Sequence, residues 1–594
     1  MIAVPKNNRR LSLFSASTCA VAILCAASVH TAHASIPPFE EQAPKIDRLS
    51  ASPNVLRAQK ALSKLGLYLG PEDGHLDQAT RATIRIYQRA TGIDITGRIT
   101  LDMIGKLEYA VSVRKLMRQL EEARSKSITD ARSKLLSHPV TRDLIKSGKS
   151  DDVADPTRDA TQCFDQPTTM CLLSEALESA KAIGKAELRD WALGEILIAE
   201  ARAGLGERAM ETASRINDPR LVMVALRDIA EAQAAGGNPE EALAAADIIP
   251  DPDKQADAFT AIAEIQVRRG DKNNARRSVE KMLSDIDNVS DRLKQIALRT
   301  RAAVILANAD ARDEVEVQLT IAEQHAHTLP RDCSKSAGIR YVASALADMQ
   351  ETARALEMLE SVSSPSDKIP VLMSAAEAQA RAGDTAAALA TASSIENVRY
   401  RAIVLGRIAL AQSKSGQIED ADTTLDIAMA AIDRIDRPYT RSFAISRIAL
   451  AMIQVHAGDG IDSDSAKGFL IAAKRAVEAA NLINDRRLKA RTLWLISERQ
   501  RALNDPNWEA TTALAETATA EVTGALSQVW MFAGLAEGHA LAGESEAGWR
   551  AFEHGVEIAR TIDNAWSRAR TLAKLASTLI CLVDPGLGHL LEKP

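Results

Sequence analysis

A recurring helix-stop signal limits what this chain can fold into. AEARAGLGE, AEAQAAGGNPEEA, AEIQVRRGDKNNA, AEAQARAGDTAAA, LAQSKSGQIEDA, MIQVHAGDG and EGHALAGESEAG each run a helical segment into a glycine. These glycines are Gly204, Gly237, Gly270, Gly383, Gly416, Gly458 and Gly543. The first three lie 33 residues apart, as do Gly383 and Gly416. Degenerate stops near Ala309, Gln350 and Asn504 fill the gaps, so one unit recurs every ~38 residues between 204 and 543. Each unit reads as a first helix with Ala, Leu and Ile at three-four spacing, as in RLVMVALRDIAEAQAAGG. A glycine then takes the left-handed C-terminal cap, and a second helix such as NPEEALAAADII follows. Asp218-Pro219 and Asp251-Pro252 start the next units, where proline loses no hydrogen bond.

One helix pair cannot bury its apolar stripe alone, whereas stacked pairs bury it between neighbours. Aromatic residues are only 3% of the chain, so Ala, Leu and Ile must fill these interfaces. The fold class expected is all-α: a small three-helix bundle followed by a long α-solenoid of ten to twelve helix pairs across 161–585. Trp494, Trp508, Trp530, Trp549 and Trp566 crowd the last hundred residues. They read as fillers of wider gaps between longer helices rather than as an aromatic binding patch. The pattern resembles the tetratricopeptide-like helical repeats over about 171–583. The helix junction matches, but the usual Trp, Tyr and Phe positions of that family are mostly Ala, Leu or Ile here. The resemblance implies a concave surface for protein partners.

The N-terminus has its own grammar. Lys6, Arg9 and Arg10 precede an apolar run from Leu11 to Val29, and Ala32-His33-Ala34 is a small-x-small cleavage site. Residues 1–34 read as a secretory signal peptide cleaved after Ala34. Its removal takes the formal charge from -6 to -9. No basic face is obvious, so nucleic acid is not an expected partner. No later run is long enough to span a bilayer. Cys163, Cys171, Cys333 and Cys581 remain after cleavage. Cys163 and Cys171 bracket the loop FDQPTTM and are expected to pair, whereas Cys333 and Cys581 are too far apart in an extended array. Residues 35–52 read as a proline-containing linker and 109–160 as a charged helical connector.

Residues 53–108 break the repeat pattern. VLRAQKALSKLGLYLG is an amphipathic helix with Val55, Leu62 and Leu65 on its core side. Gly66 ends it, and Leu67 and Leu69 pack back. Asp73-Gly74 makes a tight turn and Asp77 caps a helix bearing Thr80, Ile84 and Tyr87, which Gly92 ends. A second turn at Thr96-Gly97 and a cap at Thr100 lead to Leu101, Ile104 and Leu107. DGHLDQAT and TGRITLDM are thus two copies of one turn-plus-cap device.

Val55, Gln59, Leu62, Leu65, Gly66, Tyr68, Gly70, Asp73, Gly74, Thr80, Ile84, Tyr87, Gln88, Gly92, Ile93 and Gly97 together resemble the peptidoglycan-binding domain of many cell-wall hydrolases. Tyr87 stands for the usual Phe, Thr96 for an acidic residue, and Leu76-Asp77 for Phe-Gly. The resemblance implies a shallow polar groove for glycan or stem peptide, with Tyr68, Arg85, Gln88 and Arg89 as candidate contacts. Asp73, Gly74, Gly92 and Gly97 read as structural.

Catalytic and metal motifs are missing from the sequence. No mature cysteine lies in a His-Gly-Cys context, and His325 and His327 fall on opposite sides of a helix. DGIDSDSAKG lacks the glycine and terminal glutamate of a calcium loop. No phosphate loop or nucleophile elbow occurs. The expected protein is a non-enzymatic periplasmic scaffold with no cofactor and no metal. It holds peptidoglycan with its small bundle and unidentified periplasmic proteins with its solenoid. Two alternatives stay open: an accessory subunit that activates a cell-wall hydrolase or synthase, and an enzyme with its site in the solenoid groove.

Overall fold

The computed structural model describes residues 51–146, 153–330, 333–362, 364–457 and 463–591. The signal-peptide reading, most of the linker and the Gly458 stop lie outside them. The described residues are helical with no strand, and the chain divides into two compact units at Ser127/Ile128.

The first unit holds α1 (Pro53–Lys64), α2 (Gln78–Thr91) and the start of α3 (Leu101–Ser137). Its core is Ala58, Leu62, Tyr68, Ile84, Tyr87, Met103, Ile104 and Leu107. Two expected core residues face solvent instead: Leu69 is 99% and Leu101 69% exposed. Tyr68 takes the inward slot, and the next residue of an extended segment points away. Met103, Ile104 and Leu107 form the inward face of α3, and Leu101 falls on the other side. Helix α3 also runs far beyond the fifty-residue bundle expected from the sequence.

The second unit adds α4 (Pro139–Lys146) and α5 (Thr161–Asp165), then the repeats. One layer comprises α7 (Ala186–Arg202), α9 (Pro219–Ala235), α11 (Pro252–Arg268), α13 (Arg292–Asn308), α15 (Cys333–Asp348) and α17 (Pro365–Arg381). It continues with α19 (Val398–Lys414), α21 (Pro438–Val455), α23 (Arg486–Ala502), α25 (Ala525–Leu541) and α27 (Ala565–Val583). The other layer comprises α8 (Gly206–Ser214), α10 (Pro239–Asp247), α12 (Lys272–Ser284), α14 (Arg312–Thr328) and α16 (Thr352–Met358). Its remaining helices are α18 (Thr385–Ser393), α20 (Ile418–Ile432), α22 (Ser463–Asn481), α24 (Trp508–Ala520) and α26 (Ser545–Arg560).

The stops work as the sequence implies. Gly204, Gly237, Gly270, Gly383, Gly416 and Gly543 all have φ between 74 and 84°. At each, the next residue donates its N–H five positions back, as Asn238 does to the Gln233 carbonyl. Asp310, Gln350 and Asn504 hold the same left-handed conformation without being glycine, at φ 60, 69 and 55°. Ala311, Glu351 and Asp505 complete the same bond there. These are the degenerate stops, the first of them one residue beyond Ala309.

A second device ties the two helices of a pair. Four residues before the stop, a buried or half-buried Glu or Gln meets a Ser or Thr of the following helix. The pairs are Glu200 with Thr212 at 2.7 Å, Gln266 with Ser278 at 2.7 Å and Gln379 with Thr391 at 2.8 Å. A paired buried polar group fixes helix register, because an unpaired one would cost about 1–3 kcal/mol.

The array is not the extended solenoid expected. Helix α6 (Thr169–Lys181), the first of the set, packs as the second-layer partner of the last long helix, α27, and α27 lies beside α7. Eleven helix pairs therefore close into a ring, the eleventh built from both ends of the repeat region. One continuous core runs around it, from Leu172 to Leu582. Each first-layer helix touches the next, while second-layer helices pack chiefly against the first layer, so the first layer lies at the smaller radius. The short α28 (Pro585–Leu591) supports this assignment. A seven-residue helix spans only ~10 Å, yet α28 touches α9, α11, α25 and α27, which the inner side of a closed ring alone brings within such reach.

Candidate functional site

The site is built from the first unit upward. Its two turns are held by two buried glutamines used in the same way. Gln59 Oε1 accepts from the Gly74 N–H at 2.7 Å, and its Nε2 donates to the His75 carbonyl at 3.0 Å and Thr80 Oγ1 at 3.1 Å. Gln88 Oε1 accepts from the Gly97 N–H at 2.8 Å, and its Nε2 donates to Thr96 Oγ1 at 3.1 Å and the Arg98 carbonyl at 3.3 Å. Gly74 and Gly97 have φ of 78 and 67°, which favours glycine in both turns. Asp77 and Thr100 then cap α2 and α3 through the Thr80 and Met103 N–H groups. The internal repeat is thus a glutamine–glycine clasp followed by a cap.

Two of the four candidate contacts are inside this framework. Gln88 is 4% exposed and holds the second turn; Tyr68 is 3% exposed and its hydroxyl donates to the Pro71 carbonyl at 3.1 Å. Neither presents a free group to a ligand. Burial also pushes the Tyr87 hydroxyl above its ordinary pKa. The Asp73 carboxyl is held below its usual range, first by the His75 N–H, so it remains an ionised acceptor for the turn.

Arg85 and Arg89 are exposed, and Arg81 joins them at the same four-residue spacing. No hydrogen bond or ion pair engages the side chains of these three among the described residues. Arg85 lies over the second turn: a Cβ on Gly97 would come within 2.8 Å of its Nε. Ile86 and Ile95 are 56% and 50% exposed. The domain therefore offers a cationic stripe with apolar flanks; of the four candidate contacts, Arg85 and Arg89 lie on it and Tyr68 and Gln88 lie inside. RATIRIYQRA shows the stripe once the clasp identifies Gln88 as inward.

Residues 51–107 match the family model described as putative peptidoglycan binding domain, and they form the peptidoglycan-binding domain of this chain. The described residues between Thr169 and Leu591 form an all-α array of helical repeats. Among curated proteins none matches the chain. Among the solved structures that align with it is the crystal structure of Ton1535 from Thermococcus onnurineus NA1, at 16% identity and TM-score 0.26, covering 55% of this chain and 98% of that one. Another is a circular tandem repeat protein with novel repeat topology and enhanced subunit contact surfaces. It shows 13% identity and TM-score 0.19 over 71% of this chain and 98% of that one.

In the second unit, Cys163 and Cys171 form a disulfide with Cα atoms 5.7 Å apart, pinning the loop before α6. Trp191, Trp530 and Trp566 surround the guanidinium of Arg570. Trp494 is 7% exposed and packs edge-on against Phe532. Trp494 fills an interface, whereas Trp191 is half exposed. Among the described residues, no group of three His, Cys, Asp or Glu side chains is placed to hold a metal ion, and no single helix is long and apolar enough to cross a membrane.

Proposed function

We propose that this protein is a non-catalytic scaffold of the periplasm, exported by its N-terminal signal. In this reading the small domain holds peptidoglycan and the ring receives other periplasmic proteins. The family match of residues 51–107 carries the wall-binding half of the reading. The Arg81–Arg85–Arg89 stripe supplies its chemistry, because guanidinium groups suit the carboxylates of stem peptides. The tether acts by local concentration: a partner on the ring is kept near the wall without new catalytic groups. A partner that turns over faster when docked would make the same architecture an activating subunit.

Co-sedimentation of the mature chain with purified sacculi tests this. Arg85→Glu/Arg89→Glu is expected to weaken binding at least tenfold with the melting temperature unchanged. Gln59→Leu/Gln88→Leu opens both clasps and is expected to abolish it. Undiminished binding by the second variant would place wall recognition elsewhere and overturn the reading. Clearing of wall material in a zymogram would overturn the non-catalytic part.

A further inference from the structure

Cross-helix ion pairs line part of the inner wall of the ring. At four of its eleven helix junctions, a cation pairs with a carboxylate of the adjacent inner helix. Lys294 pairs with Asp257, Arg301 with Glu264, Arg407 with Glu377, Lys574 with Glu537 and Arg570 with Glu195. No such pair joins α19 to α21 or α21 to α23 among the described residues. These helices carry four, two and six Lys or Arg residues against one acidic residue, Glu498, which Arg550 holds. Arg407, Arg441, Arg486 and Arg499 pair with carboxylates of other elements.

The neighbours in this sector are fixed by contacts. A Cβ on Gly406 would come within 2.8 Å of Ile448 Cδ1, which sets Arg407 beside Arg447. Ser446 Oγ and Thr492 Oγ1 are hydrogen-bonded at 2.7 Å, which sets Arg447 beside Arg491. Arg487 is one turn before Arg491 on the same helix. Arg447, Arg487 and Arg491 are exposed and have no hydrogen bond or ion pair among the described residues. Surrounding protein lowers the Arg447 and Arg491 pKa values first by burial and then through like charge. Arg407 acts on the former, and Arg447 and Arg487 on the latter. Uncompensated cations on a concave, protein-walled surface focus a positive field.

We propose that this sector of the ring opening binds a carboxylate-rich peptide segment of a partner protein. The inference rests on the reading of the ring as a receiver of proteins, and it names the partner's chemistry. Eleven helices at ~8–10 Å spacing make a ring roughly 100 Å around, leaving an opening on the order of 20 Å once helix width is removed. A single strand or helix fits that space beside α28, whereas a folded domain does not. Planar guanidinium forks match carboxylates with two hydrogen bonds each. A nucleic acid is charged at every nucleotide, whereas on α7, α9 and α11 the charges of Glu195, Asp228, Glu231, Asp257 and Glu264 are already matched by cations, which leaves its phosphates few partners there. A peptide can confine its carboxylates to the basic sector.

The test uses the full mature chain and a fluorescein-labelled (Glu-Ala)5 decapeptide, read by anisotropy at several salt concentrations. Binding that weakens with salt and falls at least tenfold in Arg447→Gln/Arg491→Gln supports the proposal. Partial recovery in Arg447→Lys/Arg491→Lys, which keeps charge but loses the fork, also supports it. Removing like charges should not lower the melting temperature, so loss of fold is excluded by a parallel melt. No binding by the wild-type chain, no effect of the Gln variant, or equally tight binding of a dT10 oligonucleotide would each overturn it. Sacculus co-sedimentation run alongside separates the two readings. If Arg447→Gln/Arg491→Gln releases the wall, the sector takes wall carboxylates and this inference fails. If peptide binds but neither chain sediments, only the wall reading fails.

Discussion

Glu195 and Arg570 stand 375 residues apart in sequence and share a two-pronged ion pair, with Arg570 Nη2 donating to Glu195 Oε1 at 2.6 Å and Nε to Oε2 at 3.0 Å. The pair joins α7 to α27 and so lies on the seam that closes the ring. Trp191 and Trp566 cover the guanidinium at 4.4 and 4.6 Å. Burial raises the Glu195 pKa above its ordinary value despite the arginine, so the carboxylate depends on its partner. Removing one member of a buried pair costs about 3–5 kcal/mol because the other charge is left uncompensated. Arg570→Leu should therefore destabilise the ring by about that amount in urea unfolding followed by tryptophan fluorescence. Glu195→Leu/Arg570→Leu should recover part of the loss, since no orphan charge remains.

The disulfide next to this seam has a separable effect. Cys163–Cys171 closes a loop of sequence separation 8, whose closure entropy corresponds to about 2.5 kcal/mol. Phe164 within that loop sits beneath Arg560 and Arg568, and Asp165 pairs with Arg560 of α26 at 2.8 Å. Reduction, or Cys163→Ser/Cys171→Ser, should lower ring stability by about 2–3 kcal/mol. It should leave sacculus binding by the first unit intact. A melting curve indifferent to reductant would show that the loop packing alone holds this part of the seam.

Much of this was legible in the sequence, and the reasons differ by element. The stops are written as glycines because the left-handed cap favours them. The stops near Ala309, Gln350 and Asn504 follow from spacing rather than from residue type, and the structure puts the first of them at Asp310. Closure was not legible: nothing local in TMCLLSEALESAK says that its partner is Ala565–Val583 rather than the helix that follows. The basic sector was hidden for a related reason. Arg407, Arg447 and Arg491 lie at least forty residues apart in sequence, and only helix stacking brings them together. At the small domain, family resemblance supplied the clasp residues, but not that Tyr68 and Gln88 point inward. Arg81 was missed because the stripe requires knowing which face of α2 is buried.

The non-glycine stops give a prediction in the stabilising direction. Gln350 at φ 69° bears the left-handed penalty of about 1–2 kcal/mol for a side-chain residue. Glycine there removes the penalty but adds ~0.5–1 kcal/mol of unfolded-state entropy. Gln350→Gly should therefore stabilise the ring by about 0.5–1 kcal/mol. Gly383→Ala, at φ 84° with open space around the new methyl, should destabilise by ~1 kcal/mol. Opposite shifts in urea midpoint at two equivalent stops would check the cap assignment.

The last stop carries a pH dependence. Glu544 follows Gly543, and its carboxyl is held below the usual range, first by hydrogen bonding with His539 Nδ1 at 2.7 Å and also by Arg499 at 3.1 Å. A carboxylate whose folded pKa is depressed binds fewer protons in the native state than in the unfolded one. Its contribution is thus complete above the unfolded value of ~4.3 and is lost as pH falls through the folded value. Glu544→Gln should lower the melting temperature at pH 7. The gap to the wild type should hold steady down to about pH 5 and close as acid protonates Glu544. The two curves should meet below the ordinary carboxylate range. A gap that persists undiminished at pH 3 would mean that the stabilisation comes from packing at the stop and not from the ionised group.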